Sequence, residues 1–191
     1  LHIRYIINNY AAYSSANNHL VGEAAGVFIA SFFVNSEPEN HRRRKEAYEI
    51  LCREIIRQHH TDGVNKENGI HYQMFALDFF LQAGILGMRN GISFPKSYWT
   101  MISKSAEFLA AVSDHEGRYI QIGDSDDGKA ICLSEDKNEV RSLLAVSSVV
   151  CDRPVLAKTA EEFDQKSFWM LGEKGLIQFN KIREESDGCV I

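Results

Sequence analysis

The sequence lacks three features that would define common classes of protein. None of its apolar segments reaches the roughly 18 residues that a membrane-spanning helix requires. Its four cysteines include no C-x-x-C pair and no histidine at zinc-finger spacing, which argues against a cysteine-based metal site. It also has no basic excess, because 21 lysines and arginines face 26 acidic residues and the formal net charge is −5. We therefore expect no membrane span, no nucleic-acid partner, and no metal or cofactor.

Length and composition bound the architecture. The chain has 191 residues, of which 45% are hydrophobic and 25% charged, and these values are ordinary for one globular domain. It begins at Leu1 rather than at a methionine, and residues 188–191 have the pattern of the middle of a strand. We expect the chain to be a piece of a longer protein, so the absence of a signal peptide carries no information about secretion.

Apolar residues recur at helical spacing along most of the chain, which predicts a mainly α protein. Residues 20–34 are apolar on every side, as in a buried helix, whereas residues 42–58 are amphipathic. Further helices are predicted at residues 1–14, 69–86, 96–113, 138–149 and 161–171. Short loops between a buried helix and a more amphipathic one predict antiparallel helix hairpins, as in a partial α/α toroid or a helical solenoid.

The pattern changes towards the end of the chain. Apolar and polar residues alternate over residues 175–183, which predicts a strand and hence the start of a β-rich region. Residues 118–123 also have an extended pattern. The basic residues at 41–45 are interpreted as a solvated helix face.

The segment at residues 14–26 has the clearest pattern of potential chemistry. Asn17 or Asn18 can cap the following helix, because a short side-chain oxygen accepts an unpaired N–H group of the first turn. His19 and Glu23 lie four residues apart on one helical face, where a carboxylate can orient an imidazole. Taken alone, the segment also fits a capped helix start with a solvated His/Glu pair.

Two further motifs follow in order. Asp62-Gly63 precede the run E-N-G-I-H-Y-Q-M-F-A-L-D at residues 67–78, and I-G-D-S-D-D-G occupies residues 122–128. Together with N-N-H-x-x-x-E at residues 17–23, this ordered set resembles the heparinase II/III-like polysaccharide lyases. The resemblance covers about residues 14–128.

The second motif departs from the family pattern at two positions. Gly69 stands where the family frequently has a serine, and Gln73 stands where it has a histidine. The second change puts in doubt the ligand contact that a histidine would make, but it does not affect the chemistry of the preceding Tyr72.

The resemblance implies a lyase of two domains, of which this chain holds the helical part. We expect residues 1–172 to form the α/α-toroid portion and residues 173–191 to begin a β-sandwich domain that continues beyond the chain. The expected protein is periplasmic or secreted. Its expected partners are an acidic polysaccharide or oligosaccharide, such as a glycosaminoglycan, and the β-sandwich domain of the same protein.

β-Elimination at a uronate requires that its carboxylate be neutralised, that a base remove the C5 proton, and that an acid protonate the departing 4-oxygen. By the resemblance, Asn18 and His19 hold the carboxylate, and Tyr72 transfers the proton as base, as acid or as both. The remaining candidates are polar residues expected to contact the substrate: Asn17, Glu23, Glu67 and Gln73. For Glu67, the alternatives are to orient His19, to bind a sugar hydroxyl, or to cap a helix.

Three other interpretations stay open. The loop at residues 124–128 is rich in oxygen ligands and has Glu135 at position twelve, as in a calcium loop, but its glycine falls one place early, and we prefer a turn that shapes the cleft. A glycoside hydrolase on a similar toroid needs two carboxylates at the scissile bond, for which the sequence offers Asp62, Glu67 and Asp78. The third interpretation is a sugar-binding helical module without chemistry.

Overall fold

The computed structural model describes residues 2–34, 38–114, 116–125, 128–133 and 139–187. Within these ranges the chain forms eight α-helices and no strand: α1 (His2–Asn8), α2 (Asn18–Ala30), α3 (Pro38–Arg57), α4 (Ile70–Arg89), α5 (Lys96–Ala111), α6 (Glu139–Cys151), α7 (Pro154–Ala160) and α8 (Gln165–Asp187). None of these eight helices is long and apolar enough to cross a membrane. The prediction of a mainly α fold is confirmed.

Most helices pack against the next helix of the chain, and α3 packs against α2 and α5. α2 contacts α3 and α4, α4 contacts α5, and α6 contacts α5, α7 and α8. Their apolar faces form one core, whose fully buried members include Phe28, Leu51, Phe80, Tyr98 and Leu143. Burying a large apolar side chain stabilises a fold by about 1.5–3 kcal/mol, so this core holds the helices together.

Helix α4 is buried along most of its length, and glycines allow its neighbours to approach closely. A Cβ atom at Gly84 would lie 2.6 Å from the Trp99 ring, and one at Gly87 would lie 2.8 Å from the Phe94 ring. The sequence predicted that this helix ends at residue 86, before Gly87, but α4 continues to Arg89. The prediction was wrong because this glycine serves close packing rather than helix termination.

The strand predicted at residues 175–183 is wrong, because this segment lies within α8. Gly175, Phe179 and Ile182 are buried, and their spacing of four and then three residues is that of one helical face. Ile177 and Phe179 fit a period of two, but Ile182 lies three residues after Phe179 and fits only the helical spacing. The helix is kinked at Gly172, where φ is 70° and ψ is −168°. The domain division after residue 172 stays a prediction, and residues 188–191 lie outside the described ranges.

The segment at residues 118–123 forms no strand within the described residues, since Tyr119 makes one isolated bridge with Ser113. The basic cluster at residues 41–45 is not simply a solvated face. Arg43 is buried beside Glu39, and Arg44 donates to the Ser31 carbonyl at 2.7 Å. Arg43 thus pairs with a residue in the first turn of α3, and Arg44 connects α3 to the residue that follows α2.

Candidate active site

The start of helix α2 is capped by a residue from a distant loop. Asn17 occupies the N-cap position, but its side chain makes no capping hydrogen bond. Instead, Glu67 Oε1 accepts the backbone N–H of Asn18 at 2.7 Å, and Glu67 Oε2 accepts Asn18 Nδ2 at 2.8 Å. The prediction that Asn17 or Asn18 caps α2 with its own side chain is therefore wrong. Of the alternatives for Glu67, the structure therefore has the helix cap. The same carboxylate also binds the Asn18 side chain.

The residue that follows α3 binds the backbone that leads into α2. Gln58 Nε2 donates to the carbonyls of Ala16 and Asn17 at 2.8 and 3.1 Å. The same amide donates to Glu54 Oε2 at 3.1 Å, and Glu54 is fully buried. Sequence reasoning did not single out these two residues. The available signal was that both continue the apolar spacing of α3, Glu54 within the helix and Gln58 just after it, where a polar side chain needs a specific partner.

The structure does not bring His19 and Glu23 into a hydrogen bond with each other. Glu23 Oε2 accepts the backbone N–H of Ala11 at 2.7 Å, so this carboxylate ties the connection between α1 and α2 to the body of α2. His19 is exposed in the first turn of α2, next to the half-buried Asn18. His19 and Glu23 thus lie one turn apart on α2 as predicted, but the Glu23 carboxylate binds the backbone N–H of Ala11 rather than the His19 imidazole.

Tyr72 lies in the first turn of α4 and is half-buried. Its ring lies edge-on to that of His71, with ring centroids 6.0 Å apart. A Cβ atom at Gly69, the N-cap residue of α4, would lie 2.9 Å from Tyr72 Cδ2. The glycine that departs from the family pattern therefore lets the tyrosine ring lie against the helix start.

The third motif packs against this same helix start. The backbone N–H of Ile70 donates to the Ile122 carbonyl at 3.1 Å. Gly123 has a φ of 75°, and a Cβ there would lie 2.5 Å from the Asn68 carbonyl oxygen, so both its conformation and its surroundings require glycine. Asp126, Asp127 and Glu135, on which the calcium interpretation depends, lie outside the described residues.

These contacts bring the three sequence motifs to one end of the helices. The first and second motifs meet where Glu67 binds Asn18, and the second and third meet where Ile70 binds Ile122. A small cavity of about 150 Å³ lies between the second motif, the Ile122 loop and Phe108 of α5. Glu67 thus connects the N-terminal ends of α2 and α4, with Asn18 in the first turn of one and Tyr72 in the first turn of the other.

Gln73 faces the interior, and the structure does not support the predicted substrate contact. Its side chain is 1% exposed. Oε1 accepts the backbone N–H of Asn65 at 2.6 Å, and Nε2 donates to the Gly63 carbonyl at 3.0 Å and to Ser105 Oγ at 2.5 Å. Because both ends of the amide are bonded inside the protein, Gln73 supports the loop before α4 instead of meeting a sugar.

The carboxylates of the hydrolase alternative do not face one cleft. Asp78 is fully buried and is bonded to Lys166 Nζ at 2.8 Å and to Gln82 Nε2 at 3.0 Å. Asp62 accepts the backbone N–H of Val64 at 3.1 Å in an exposed turn, and Glu67 caps α2. A hydrolase needs one carboxylate on each side of the scissile bond, and this arrangement does not supply the pair.

Comparison with known proteins agrees with the fold and with the motifs. The family model described as heparinase II/III N-terminus matches residues 1–148. The chain is 33% identical over 114 residues to a heparin-sulfate lyase from Bacteroides stercoris. This match covers 58% of this chain and 17% of that protein. A solved heparinase III structure matches with a TM-score of 0.63 and 25% identity, over 84% of this chain and 24% of that chain.

The fold and the ordered motifs define the helical part of a heparinase-type protein. The chain belongs to the heparinase II/III family, because the family model matches well over half of its residues. The prediction of a partial α/α toroid is confirmed by the similarity to the heparinase III structure. The chain spans about a quarter or less of the length of these two relatives.

Proposed function

We propose that this chain forms the helical part of the active-site cleft of a polysaccharide lyase that cleaves uronic-acid-containing polysaccharides by β-elimination. The observation that supports it most is the Asn18 carboxamide, which Glu67 holds at the start of α2 in a chain of the heparinase II/III family. A fixed amide donor at a helix start suits an anionic group, because the N-terminal end of a helix favours negative charge.

In the proposed reaction, the C5 proton passes to a base while the electrons of the C5–H bond form the C4–C5 double bond. The C4–O bond breaks, and the departing oxygen takes a proton from an acid. Negative charge develops on the uronate carboxylate as the C5 proton leaves, so donors aimed at that carboxylate lower the barrier. We assign this role to Asn18 Nδ2 and to the exposed ring of His19, which belong to consecutive residues in the first turn of α2.

We assign the proton transfer to Tyr72, as base at C5, as acid at the 4-oxygen, or as both. A phenol ordinarily titrates near a pKa of about 10, so a neighbouring positive or hydrogen-bonding group has to stabilise the phenolate if Tyr72 acts as the base. Its position in the first turn of α4 supports the assignment, because the motif contacts place that turn at the same end of the molecule as Asn18.

The substrate contacts are proposed more broadly. Asn17 is exposed at the N-cap of α2, and Glu23 has Oε1 that the Ala11 contact does not use, so each can meet a sugar hydroxyl. The proposed substrate is an acidic polysaccharide such as a glycosaminoglycan. We further propose that the complete enzyme is periplasmic or secreted, and that a β-sandwich domain of the same protein closes the cleft.

The test is the ultraviolet absorbance of the unsaturated uronate product, measured with the full-length protein on a panel of acidic polysaccharides. The proposal predicts a rise in absorbance with at least one polysaccharide and its loss in Tyr72→Phe, with unchanged circular dichroism. New reducing ends without a rise in absorbance would indicate hydrolysis and contradict the proposal. Binding of the polysaccharide without either product would indicate a sugar-binding module.

A further inference from the structure

A series of shielded hydrogen bonds connects Asn18 to helix α5. Ser105 Oγ accepts Gln73 Nε2 at 2.5 Å, and Gln73 Oε1 accepts the backbone N–H of Asn65 at 2.6 Å. Asn65 Oδ1 in turn accepts the backbone N–H of Glu67 at 2.8 Å. Ser105, Gln73 and Asn65 are each 1% exposed. The backbone of Glu67, from which its carboxylate reaches Asn18, is therefore held by three buried side chains.

We infer that Glu67 is a positioning residue that fixes the orientation of the Asn18 carboxamide, and that Gln73 and Asn65 hold Glu67 in place. The catalytic meaning of this inference rests on the proposed function. The terminal torsion of an asparagine is broad and roughly two-fold, so an unrestrained amide can present either its oxygen or its nitrogen to a ligand. An ionised carboxylate only accepts hydrogen bonds, so Glu67 keeps Nδ2 on its own side.

This orientation has a consequence for an anionic ligand. An amide nitrogen carries two hydrogens, and the contact with Glu67 uses one of them. The second hydrogen can then donate to a substrate carboxylate while the amide stays fixed. Glu67 also brings a negative charge close to that carboxylate, which weakens its binding. Glu67 thus orients the Asn18 amide for the reaction, but it lowers the affinity for the substrate carboxylate.

The variant Glu67→Gln separates these two effects. A glutamine offers one acceptor and one donor. Its oxygen can still accept the Asn18 backbone N–H, but its nitrogen faces the Asn18 side chain, which must turn its Oδ1 inwards. We expect kcat to fall by about tenfold or more, because a misaligned catalytic group loses the benefit of preorganisation. KM is expected to stay the same or to fall, because a negative charge has been removed.

Gln73→Met tests the inner part of the series without touching the charge. It removes the contacts to Asn65 and Ser105, so we expect kcat to fall by about threefold, with KM unchanged. The matched control is Gln82→Met. Gln82 lies on the same helix and also uses its amide in a side-chain hydrogen bond, to Asp78, but it has no contact with the series that leads to Asn18. We expect its kcat to stay within about twofold of the original protein.

The experiment measures kcat and KM for the three variants in the full-length protein, on whichever acidic polysaccharide it cleaves, with melting temperatures as the folding check. Retention of kcat in Glu67→Gln, or an equal loss in Gln73→Met and Gln82→Met, would overturn the inference. Hydrogen exchange of the peptide that contains Asn18 supplies a readout that does not depend on turnover. Faster exchange is expected in Glu67→Gln, because a neutral amide oxygen holds the Asn18 N–H less strongly than a carboxylate does. Faster exchange is also expected in Gln73→Met, but not in Gln82→Met.

The two readouts distinguish the failure of the inference from that of the proposed function. If the unaltered protein forms no unsaturated product from any acidic polysaccharide, the proposed function fails, and the exchange data alone decide whether Glu67 and Gln73 fix Asn18. If the protein is a lyase but exchange at Asn18 is the same in all three variants, the proposed function stands and the positioning role is contradicted.

Discussion

Lys166 Nζ donates to the Asp78 carboxylate at 2.8 Å, and both side chains lie inside the protein, with Asp78 0% and Lys166 5% exposed. The contact joins α8 to α4 across 88 positions of the sequence. Asp78 lies less than two turns after Tyr72 on the same helix. The part of α8 before the kink at Gly172 therefore supports the helix that carries the proposed catalytic tyrosine.

The variant Lys166→Met is expected to destabilise the protein by about 3–5 kcal/mol, because it leaves a fully buried carboxylate without its cation. Urea unfolding followed by circular dichroism measures the change. Lys181→Met is the matched control, since Lys181 lies on the same helix and pairs with Glu185 at 4.0 Å on the surface. We expect a cost below about 1 kcal/mol for the control. Equal costs would mean that the buried pair does not stabilise the packing of α8.

The contact between the Ile122 loop and the start of α4 depends on Gly123. In Gly123→Ala, the methyl group would lie 2.5 Å from the Asn68 carbonyl oxygen, and the backbone would keep a φ that alanine rarely adopts. Gly91→Ala is a matched control, because Gly91 has a φ of 72° but no atom within 4 Å of the added methyl group. We expect about 1–2 kcal/mol for the control, from backbone strain alone, and a larger cost for Gly123→Ala.

Thermal unfolding of the two glycine variants measures the difference between them. If both variants lose the same stability, the close contact between Gly123 and the Asn68 carbonyl at the start of α4 is contradicted. A loss of lyase activity is also expected for Gly123→Ala but not for Gly91→Ala, because only the first glycine lies against the turn that carries Tyr72.

Stability is expected to fall on acidification because of His59. Its side chain is buried, with Nδ1 2.8 Å from the Ile55 carbonyl, and burial lowers its pKa, with the charges of Lys66 and His60 acting in the same direction. The unfolded chain therefore binds a proton more readily than the native chain. The stability of the neutral form is present above the ordinary pKa of about 6.5 and is lost as the pH falls below it.

The measurement is the denaturant midpoint at pH 7.5 and pH 5.5, for the original protein and for His59→Gln. We expect a smaller drop in the variant. Burial raises the pKa of Glu139, which acts in the opposite direction, so the difference between the two proteins is the informative quantity. His60→Gln is the control, because His60 is adjacent but exposed. An unchanged drop in His59→Gln would contradict the assignment.

Helix positions could be predicted from the sequence wherever the period was unambiguous. The apolar run at residues 20–34 has no alternative to a buried helix, and α2 forms there. In residues 175–183, Ile177 and Phe179 fit a period of two, whereas Phe179 and Ile182 fit one helical face. Packing on the rest of the core decided between the two, and a local pattern does not contain that packing.

The residues of the candidate site could be predicted from the sequence better than the contacts between them. The order of the motifs indicated Asn18 and Tyr72, but the cap on α2 comes from Glu67, 49 positions away, and no local capping pattern describes it. Gln73 stands where the family has a histidine, and it was expected to contact the substrate. It faces inwards because Ser105, on another helix, completes its hydrogen bonds.

The account rests on Asn18 as the residue that binds the reacting carboxylate, and Asn18→Ala in the full-length protein tests this most directly. Asn90→Ala is the matched control, since Asn90 is an exposed asparagine at the other end of α4 whose side chain bonds the Leu86 carbonyl. The measurement is the rate of unsaturated product formation at saturating polysaccharide. We expect a loss of about 100-fold or more in Asn18→Ala and an unchanged rate in Asn90→Ala. A rate in Asn18→Ala close to that of the original protein would contradict the account.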